Sequence, residues 1–151
     1  MDERHASSGE IKLDPTEPKR VIDYSLRRRA SLEALSSGEA ALEEVCDADR
    51  YLLRAAEFHG VPGTVPCPVC RKDNLVTVKW VYGNSIGDAA GSARTDEEIE
   101  ELARVHDEFT VHVVEVCRSC RWNHLIESYD VGWPAGLAAK IRRAGKLRGQ
   151  A

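Results

Sequence analysis

Cys67-Pro-Val-Cys70 and Cys117-Arg-Ser-Cys120 each set two thiols on one tight turn, and four thiolates brought together form a tetrahedral sulfur site. That geometry selects zinc, which needs no open coordination position where its role is structural. A zinc ribbon ordinarily separates its two pairs by roughly 15 to 20 residues, whereas 46 lie between Cys70 and Cys117. The excess has a visible source. Tyr82 ends a strand-like run and Phe109 begins the next, so residues 83–108 read as an insertion of 26 residues, and removing them leaves an ordinary gap of 20. The pattern predicts one structural Zn2+ held by Cys67, Cys70, Cys117 and Cys120.

An iron site of the rubredoxin type uses similar spacing. Glycine normally follows the second cysteine of each pair there, and this chain has Arg71 and Arg121, which favours zinc. A catalytic zinc keeps one position open beside three protein ligands, which an all-cysteine set does not offer. Cys46 is left over and reads as a small buried hydrophobe; the alternative, a redox role, is disfavoured because nothing near it in sequence would lower its pKa.

Arg71, Lys72, Arg118 and Arg121 crowd the two turns. They form either a phosphate-binding patch or the ordinary cationic surround that offsets the net −2 charge of Zn2+ with four thiolates. Trp122, Asn123 and His124 follow the fourth cysteine, where Trp122 and His124 stack on an exposed base or Trp122 packs over the turn. His59, His106 and His112 sit in no ligand spacing. No Ser/His/Asp set, paired catalytic carboxylates, phosphate-cradling glycine loop or HExxH motif occurs, so the sequence points away from an enzyme and shows no small-molecule substrate site.

These residues need elements to hold them. Val76, Val78, Trp80 and Tyr82 alternate with Thr77, Lys79 and Val81 as a half-buried strand; Phe109 to Val116 forms a second, and Trp122 to Tyr129 a third. Upstream, Ile22 to Leu35 has helical periodicity, with Arg27, Arg28 and Arg29 along it. Ser36 with Glu39 looks like a capping box for a short helix through Leu42 and Val45, and Asp47 like the N-cap of a third helix closed by Gly60. That third helix presents Arg50, Tyr51, Arg54 and Glu57 after a tight turn, as a DNA-reading helix-turn-helix would. In the insertion a Gly/Ala/Ser loop, with little that packs, precedes an acidic helix capped by Thr95 and Glu98.

The expected fold class is α+β: an N-terminal three-helix unit packed on a C-terminal three-stranded antiparallel zinc ribbon with a loop-helix insertion in its hairpin. Its boundaries are a disordered leader at 1–19, the helical unit at 20–61, the ribbon at 62–132 with its insertion at 83–108, and a basic tail or helix at 133–151 carrying Lys140, Arg142, Arg143, Lys146 and Arg148. A net charge of −4 argues against a protein built mainly to coat nucleic acid, although the tail is locally basic. No apolar run approaches the roughly 20 residues of a membrane span, and no secretory leader is apparent, which predicts a cytoplasmic protein and no membrane partner. Five cysteines in a reducing compartment argue for metal ligation over disulfides.

The segments Val21-Ile-Asp-Tyr-Ser-Leu-Arg-Arg-Arg29, Glu44-Val-Cys-Asp-Ala48, Tyr51-Leu-Leu-Arg-Ala-Ala-Glu-Phe-His-Gly60, Cys67-Pro-Val-Cys-Arg-Lys72, Gly91-Ser-Ala-Arg-Thr95 and Val111-His-Val-Val-Glu-Val-Cys-Arg-Ser-Cys-Arg-Trp-Asn-His-Leu125 resemble an actinobacterial zinc-ribbon family of small cytoplasmic proteins catalogued as a domain of unknown function. The resemblance covers Val21 to Tyr129 and implies an actinobacterial source without supplying an activity. Three functional expectations stand. The first is a non-enzymatic zinc-ribbon adaptor contacting a protein or RNA of the transcription or translation machinery through the ribbon face, the inserted loop and the basic tail, with Arg71, Lys72, Arg118, Arg121, Trp122, His124, Lys140, Arg142 and Arg143 as its candidate contacts. The second is a helix-turn-helix-like DNA-binding regulator, and the third a zinc-thiolate redox switch.

Overall fold

A computed structural model describes residues 13–145. In chain order the elements are β1 (Lys19–Asp23), α1 (Ser25–Ser37), α2 (Leu42–Val45), α3 (Arg50–His59), β2 (Val61–Pro66), β3 (Asn74–Tyr82), β4 (Ser92–Ala93), α4 (Asp96–Val105), β5 (Phe109–Val116), β6 (Asn123–Val131) and α5 (Leu137–Arg143), with a 3-10 segment over Asn84–Ala89. The class is α+β, built on a six-stranded antiparallel sheet in the order β1-β6-β5-β3-β2, with β4 beside β3.

The three strands expected from alternation form the centre of this sheet, and three more extend it. β1 occupies residues expected in the leader and the first helix. It adds to the free edge of β6, pairing Ile22 with Ser128 and Asp23 with Glu127. Arg20, bulged at φ 52°, fixes it by donating from Nε to Asp130 Oδ2 at 2.7 Å and bridging to Glu108. Order therefore reaches back into the expected leader: Pro15 is buried, and its carbonyl accepts from Gly132 N. Residues 1–12 lie outside the described residues.

β2 is the opposite edge. It contains Pro62, Gly63 and Pro66, residues that usually end structure, and an edge strand tolerates proline because one side of its ladder has no partner. The helix ends also differ from expectation. Ser36 lies inside α1, which stops at Gly38 in the left-handed region at φ 88°. Asp49 caps α3 by accepting from Leu52 N at 2.9 Å, while Asp47 instead accepts from Asn123 Nδ2 at 2.8 Å. Gly60 has an extended backbone at φ −77°, so its role is space: a Cβ there would run into Val76 Cγ1 and the carbonyl of Ala56.

The first three helices have no core of their own. On one face of the sheet, α3 buries Ala55 and Ala56 against Val78 and Val116. On the other face, Ile99 and Ala103 of α4 cover Val81, Val111, Val113, Tyr129 and Val131. Ile86 of the insertion is 5% exposed within the same cluster. The expectation that the loop has little to pack is therefore corrected: β4 pairs Ala93 with Trp80, and the 3-10 segment places an isoleucine in the core. Leu32 of α1 and Val45 beyond it reach a third cluster, with Cys67, Leu75, Cys117 and Trp122. From α1 to α3 the chain passes around the end of the sheet that carries the cysteines.

Candidate metal centre

β3 and β5 pair over their length, from Val76 opposite Val116 to Tyr82 opposite Thr110. The two Cys-x-x-Cys turns flank one end of this ladder, with Cys67 and Cys70 before β3 and Cys117 and Cys120 after β5. Each turn closes in the same way. Arg71 N donates to Cys67 O at 3.1 Å and Arg121 N to Cys117 O at 3.0 Å, with both arginines in the left-handed region at φ 61° and 75°. Glycine is the usual occupant of such a φ. Tight return bonds hold arginine there instead. Cys67 N donates to Asp73 O and Cys117 N to Trp122 O, both at 2.8 Å, so each turn is tied to the residues that follow it.

The four sulfurs lie within 4.8 Å of one another. Cys67 Sγ is 3.7 Å from Cys120 Sγ, and Cys70 Sγ is 3.6 Å from Cys117 Sγ. A tetrahedron with metal-sulfur bonds of about 2.3 Å has sulfur-sulfur edges of about 3.8 Å; two edges match that spacing and the whole set stays within 4.8 Å, so the four thiols can surround one tetrahedral ion. Backbone N–H groups already point at the sulfurs, as thiolate ligands require: Val69 N to Cys67 at 3.3 Å, Lys72 N to Cys70 at 3.4 Å and Cys120 N to Cys117 at 3.4 Å. Without a bound cation, the Lys72 N–H holds the Cys70 thiol down to about 7, whereas burial pushes Cys117 and Cys120 up. A positive ion at the centre offsets that burial cost by favouring all four thiolates together.

Near the centre the sequence missed Glu115 and misplaced Cys46, which was expected to be buried and is only partly covered. Cys46 Sγ lies 3.8 Å from Cys120 Sγ, brought there by the path from α2 to α3 around the end of the sheet. Glu115 is 7% exposed, and its Oε2 accepts from Arg28 Nε at 2.6 Å and from Trp122 Nε1 at 2.8 Å. No local pattern announces either contact, since Arg28 and Glu115 are 87 positions apart and Cys46 and Cys120 are 74 apart.

The residues expected to touch a partner fall into three groups. Arg71, Lys72, Arg118 and Arg121 are exposed around the cysteine turns. Trp122 is fully buried among Cys67, Leu75 and Cys117, so stacking on an exposed base is closed to it; His124 stacks on it inside the protein at 5.9 Å and faces Ser31 of α1. Lys140, Arg142 and Arg143 are exposed on α5, which follows the Asp107–Trp133 bridge at the other end of β5, roughly 25 Å from the cysteines by strand rise. The structure does not join these cations into one surface. Lys146 and Arg148 lie outside the described residues. His59 is exposed, His106 closes α4, and His112 lies beside Tyr82 with ring centroids 4.8 Å apart.

α3 carries Arg50, Tyr51, Arg54 and Glu57 outward, as expected, and Phe58 with them. Beside it the sheet face is only partly covered. A groove of about 420 Å³ is walled by Tyr51, Trp80, Tyr82 and His112 and bordered by Asp47 and Asp49, with no lysine or arginine in its lining. Tyr51 is 66% exposed and Tyr82 42%. None of the described helices is long and apolar enough to cross a membrane.

Comparison with known proteins gives consistent relatives. The chain is 57% identical over 111 residues to uncharacterized protein Rv0049 of Mycobacterium tuberculosis, and equally to uncharacterized protein Mb0050 of Mycobacterium bovis, with 74% of this chain and 81% of each relative covered. No solved structure matches. The model of the family of unknown function DUF5318 matches residues 16–145, a span that takes in the whole sheet, both cysteine turns and α5, and the chain belongs to that family.

Proposed function

We propose that this protein is a non-enzymatic, zinc-stapled adaptor of the cytoplasm whose partner surface is the aromatic groove beside α3, and that its partner is a protein presenting a basic segment. The ribbon-like centre, by analogy of architecture, suggests a component of the transcription or translation machinery. The observation that carries the reading is the lining of the groove: four aromatic or imidazole rings and two exposed carboxylates, of which the Tyr51 ring already holds a guanidinium, that of Arg50, at 5.4 Å from its centroid. Rings attract ammonium and guanidinium groups through their faces, and carboxylates supply the complementary charge. Zinc is the ion favoured by four thiolates at tetrahedral spacing. The exposed cations on the cysteine turns then act chiefly to offset the charge of the centre.

The test titrates the purified protein with a lysine- and arginine-rich peptide and, separately, with a single-stranded oligouridylate, following intrinsic fluorescence with Trp80→Phe as the assignment control. Saturable quenching by the peptide, lost in Tyr51→Ala and weakened in Asp47→Asn, supports the reading. Binding of the oligouridylate alone, abolished by neutralising Arg71, Lys72, Arg118 and Arg121, overturns it in favour of nucleic acid. Elemental analysis should find one zinc per chain.

A further inference from the structure

We propose that Cys46 and Cys120 form a peroxide-sensing pair, in which oxidation of Cys120 is captured by Cys46 as a disulfide and one of the four metal donors is withdrawn. The inference rests on the reading of the four-thiol centre as a metal site, and goes beyond it by assigning the fifth thiol a reaction.

The first support is distance. Cys46 Sγ is 3.8 Å from Cys120 Sγ, in the same range as the contacts within the donor set, although Cys46 is not one of the four mutually close donors. A disulfide needs sulfurs about 2.05 Å apart, so the pair must close by less than 2 Å, within reach of side-chain rotation and a small shift of α2. The second support is placement. Cys46 follows the last turn of α2, where its N–H donates to Leu42 O at 2.8 Å. The next residues are fastened to the second cysteine turn: Asp47 Oδ1 accepts from Asn123 Nδ2 at 2.8 Å, and Ala48 N donates to Arg121 O at 3.1 Å. Those bonds hold the thiol against Cys120. The third support is access. Cys67 and Cys117 are fully buried, whereas Cys46, Cys70 and Cys120 are only partly covered and admit a small oxidant, and of the two accessible donors Cys120 is the one 3.8 Å from Cys46.

With a hydroperoxide as the oxidant, the sulfur of Cys120 attacks one peroxide oxygen. The S–O bond forms, the O–O bond breaks, and the departing alkoxide or hydroxide takes a proton and leaves as alcohol or water. Cys120 is thereby oxidised by two electrons to the sulfenic acid. The sulfur of Cys46 then attacks that of Cys120; the S–S bond forms, the S–O bond breaks, and the hydroxyl leaves with the thiol proton as water. Three thiolates remain at the centre. A four-thiolate zinc site reduced to three protein donors binds its ion more weakly, and free thiol reverses the step by exchange.

The experiment treats the full chain, as purified with its metal, with hydrogen peroxide, blocks free thiols, and maps linked peptides by mass spectrometry while a chromophoric chelator reads zinc release. The expected result is a dominant Cys46–Cys120 linkage appearing in step with zinc release and reversed by dithiothreitol with added zinc. Cys46→Ser and Cys46→Ala, checked for unchanged circular dichroism, should release zinc several-fold more slowly and accumulate sulfinic acid at Cys120. Linkages confined to Cys67, Cys70, Cys117 and Cys120 with Cys46 still reduced, or unchanged release in both variants, would overturn the proposal and leave the 3.8 Å contact as a hydrogen bond only. Protein that binds no zinc even when it is supplied, yet still forms the Cys46–Cys120 linkage, would refute the metal reading and with it the withdrawal of a donor, leaving only the disulfide step.

Discussion

Glu115 is a carboxylate held almost out of water beside a thiol-rich centre, and what makes it tolerable is the pair of donors on its Oε2, Arg28 Nε and Trp122 Nε1. Removing one partner of a buried ion pair costs more than the pair contributes, because the other charge stays buried and unmatched. Arg28→Met should therefore lose about 3 kcal/mol in urea denaturation, and adding Glu115→Gln to it should recover much of that by removing the stranded charge. A loss under ~0.5 kcal/mol for the single variant would place Arg28 among ordinary surface cations. The same triad explains why Trp122 was ambiguous in the sequence. Its position after Cys120 suits either an exposed stacking ring or a buried cap; it donates to Glu115 of the adjoining β5, while Arg28 and Leu32, which complete the enclosure, come from α1, far away in the chain. The four cysteines were legible because their chemistry is written in local spacing, whereas Cys46, Glu115 and Arg28 acquire meaning only from contacts across the fold.

Elements whose pattern is local were readable to within a few residues: α3, the acidic α4 with its Thr95 and Glu98 caps, and the three central strands. Those that depend on a neighbour were not. β1 carries exposed Val21 and Ile22 and has no signature apart from the edge of β6 that it joins, and β2 is rich in the residues that usually end structure. The insertion is the clearest case, because one buried isoleucine among small residues, with the short β4 pairing, anchors it. Ile86→Ala should cost about 2–4 kcal/mol in thermal or chemical unfolding, and a result near zero would restore the picture of an idle loop. Gly60→Ala should lose about 1–3 kcal/mol by forcing α3 away from Val76. The end of α4 carries a pH dependence. Burial of His106, with Arg142 adding to it, holds its pKa below the usual 6.5. The unfolded chain therefore binds this proton more tightly than the folded one, so the contribution is intact above about pH 6.5 and declines as pH falls through and below that value. Thermal midpoints measured between pH 7.5 and 5.5 should fall less in His106→Gln than in the parent.

At the scale of the molecule, one sheet joins two ends with different sources of stability. At the far end, Val81, Ile86, Ile99, Ala103, Phe109 and Val111 form an apolar cluster that requires no ion. At the other, Cys67, Cys117 and Trp122 are closed over by Leu32, Val45 and Cys46, and four clustered thiols replace what would otherwise be core. Structural zinc contributes about 10–16 kcal/mol in small metal-folded units, comparable with the total stability of a domain, about 5–15 kcal/mol. On the proposed zinc reading, removing the ion should therefore release the cysteine end and the helical path around it. The far cluster is large enough to persist for a time as a separate opening unit, since free energies of local opening differ across a structure. Hydrogen exchange after chelation should show early loss of protection at Arg71, Arg121, Cys117 and Ala48, whose N–H groups bond Cys67 O, Cys117 O, Trp122 O and Arg121 O. Ile99 and His106, whose N–H groups bond Thr95 O and Leu102 O within α4, should exchange later. Simultaneous loss at both ends would mean that β3, β5 and β6 transmit the opening along their whole length and that the metal holds the entire sheet. Unchanged protection at the cysteine turns would mean that the four thiols hold their geometry without an ion, which the metal reading does not allow.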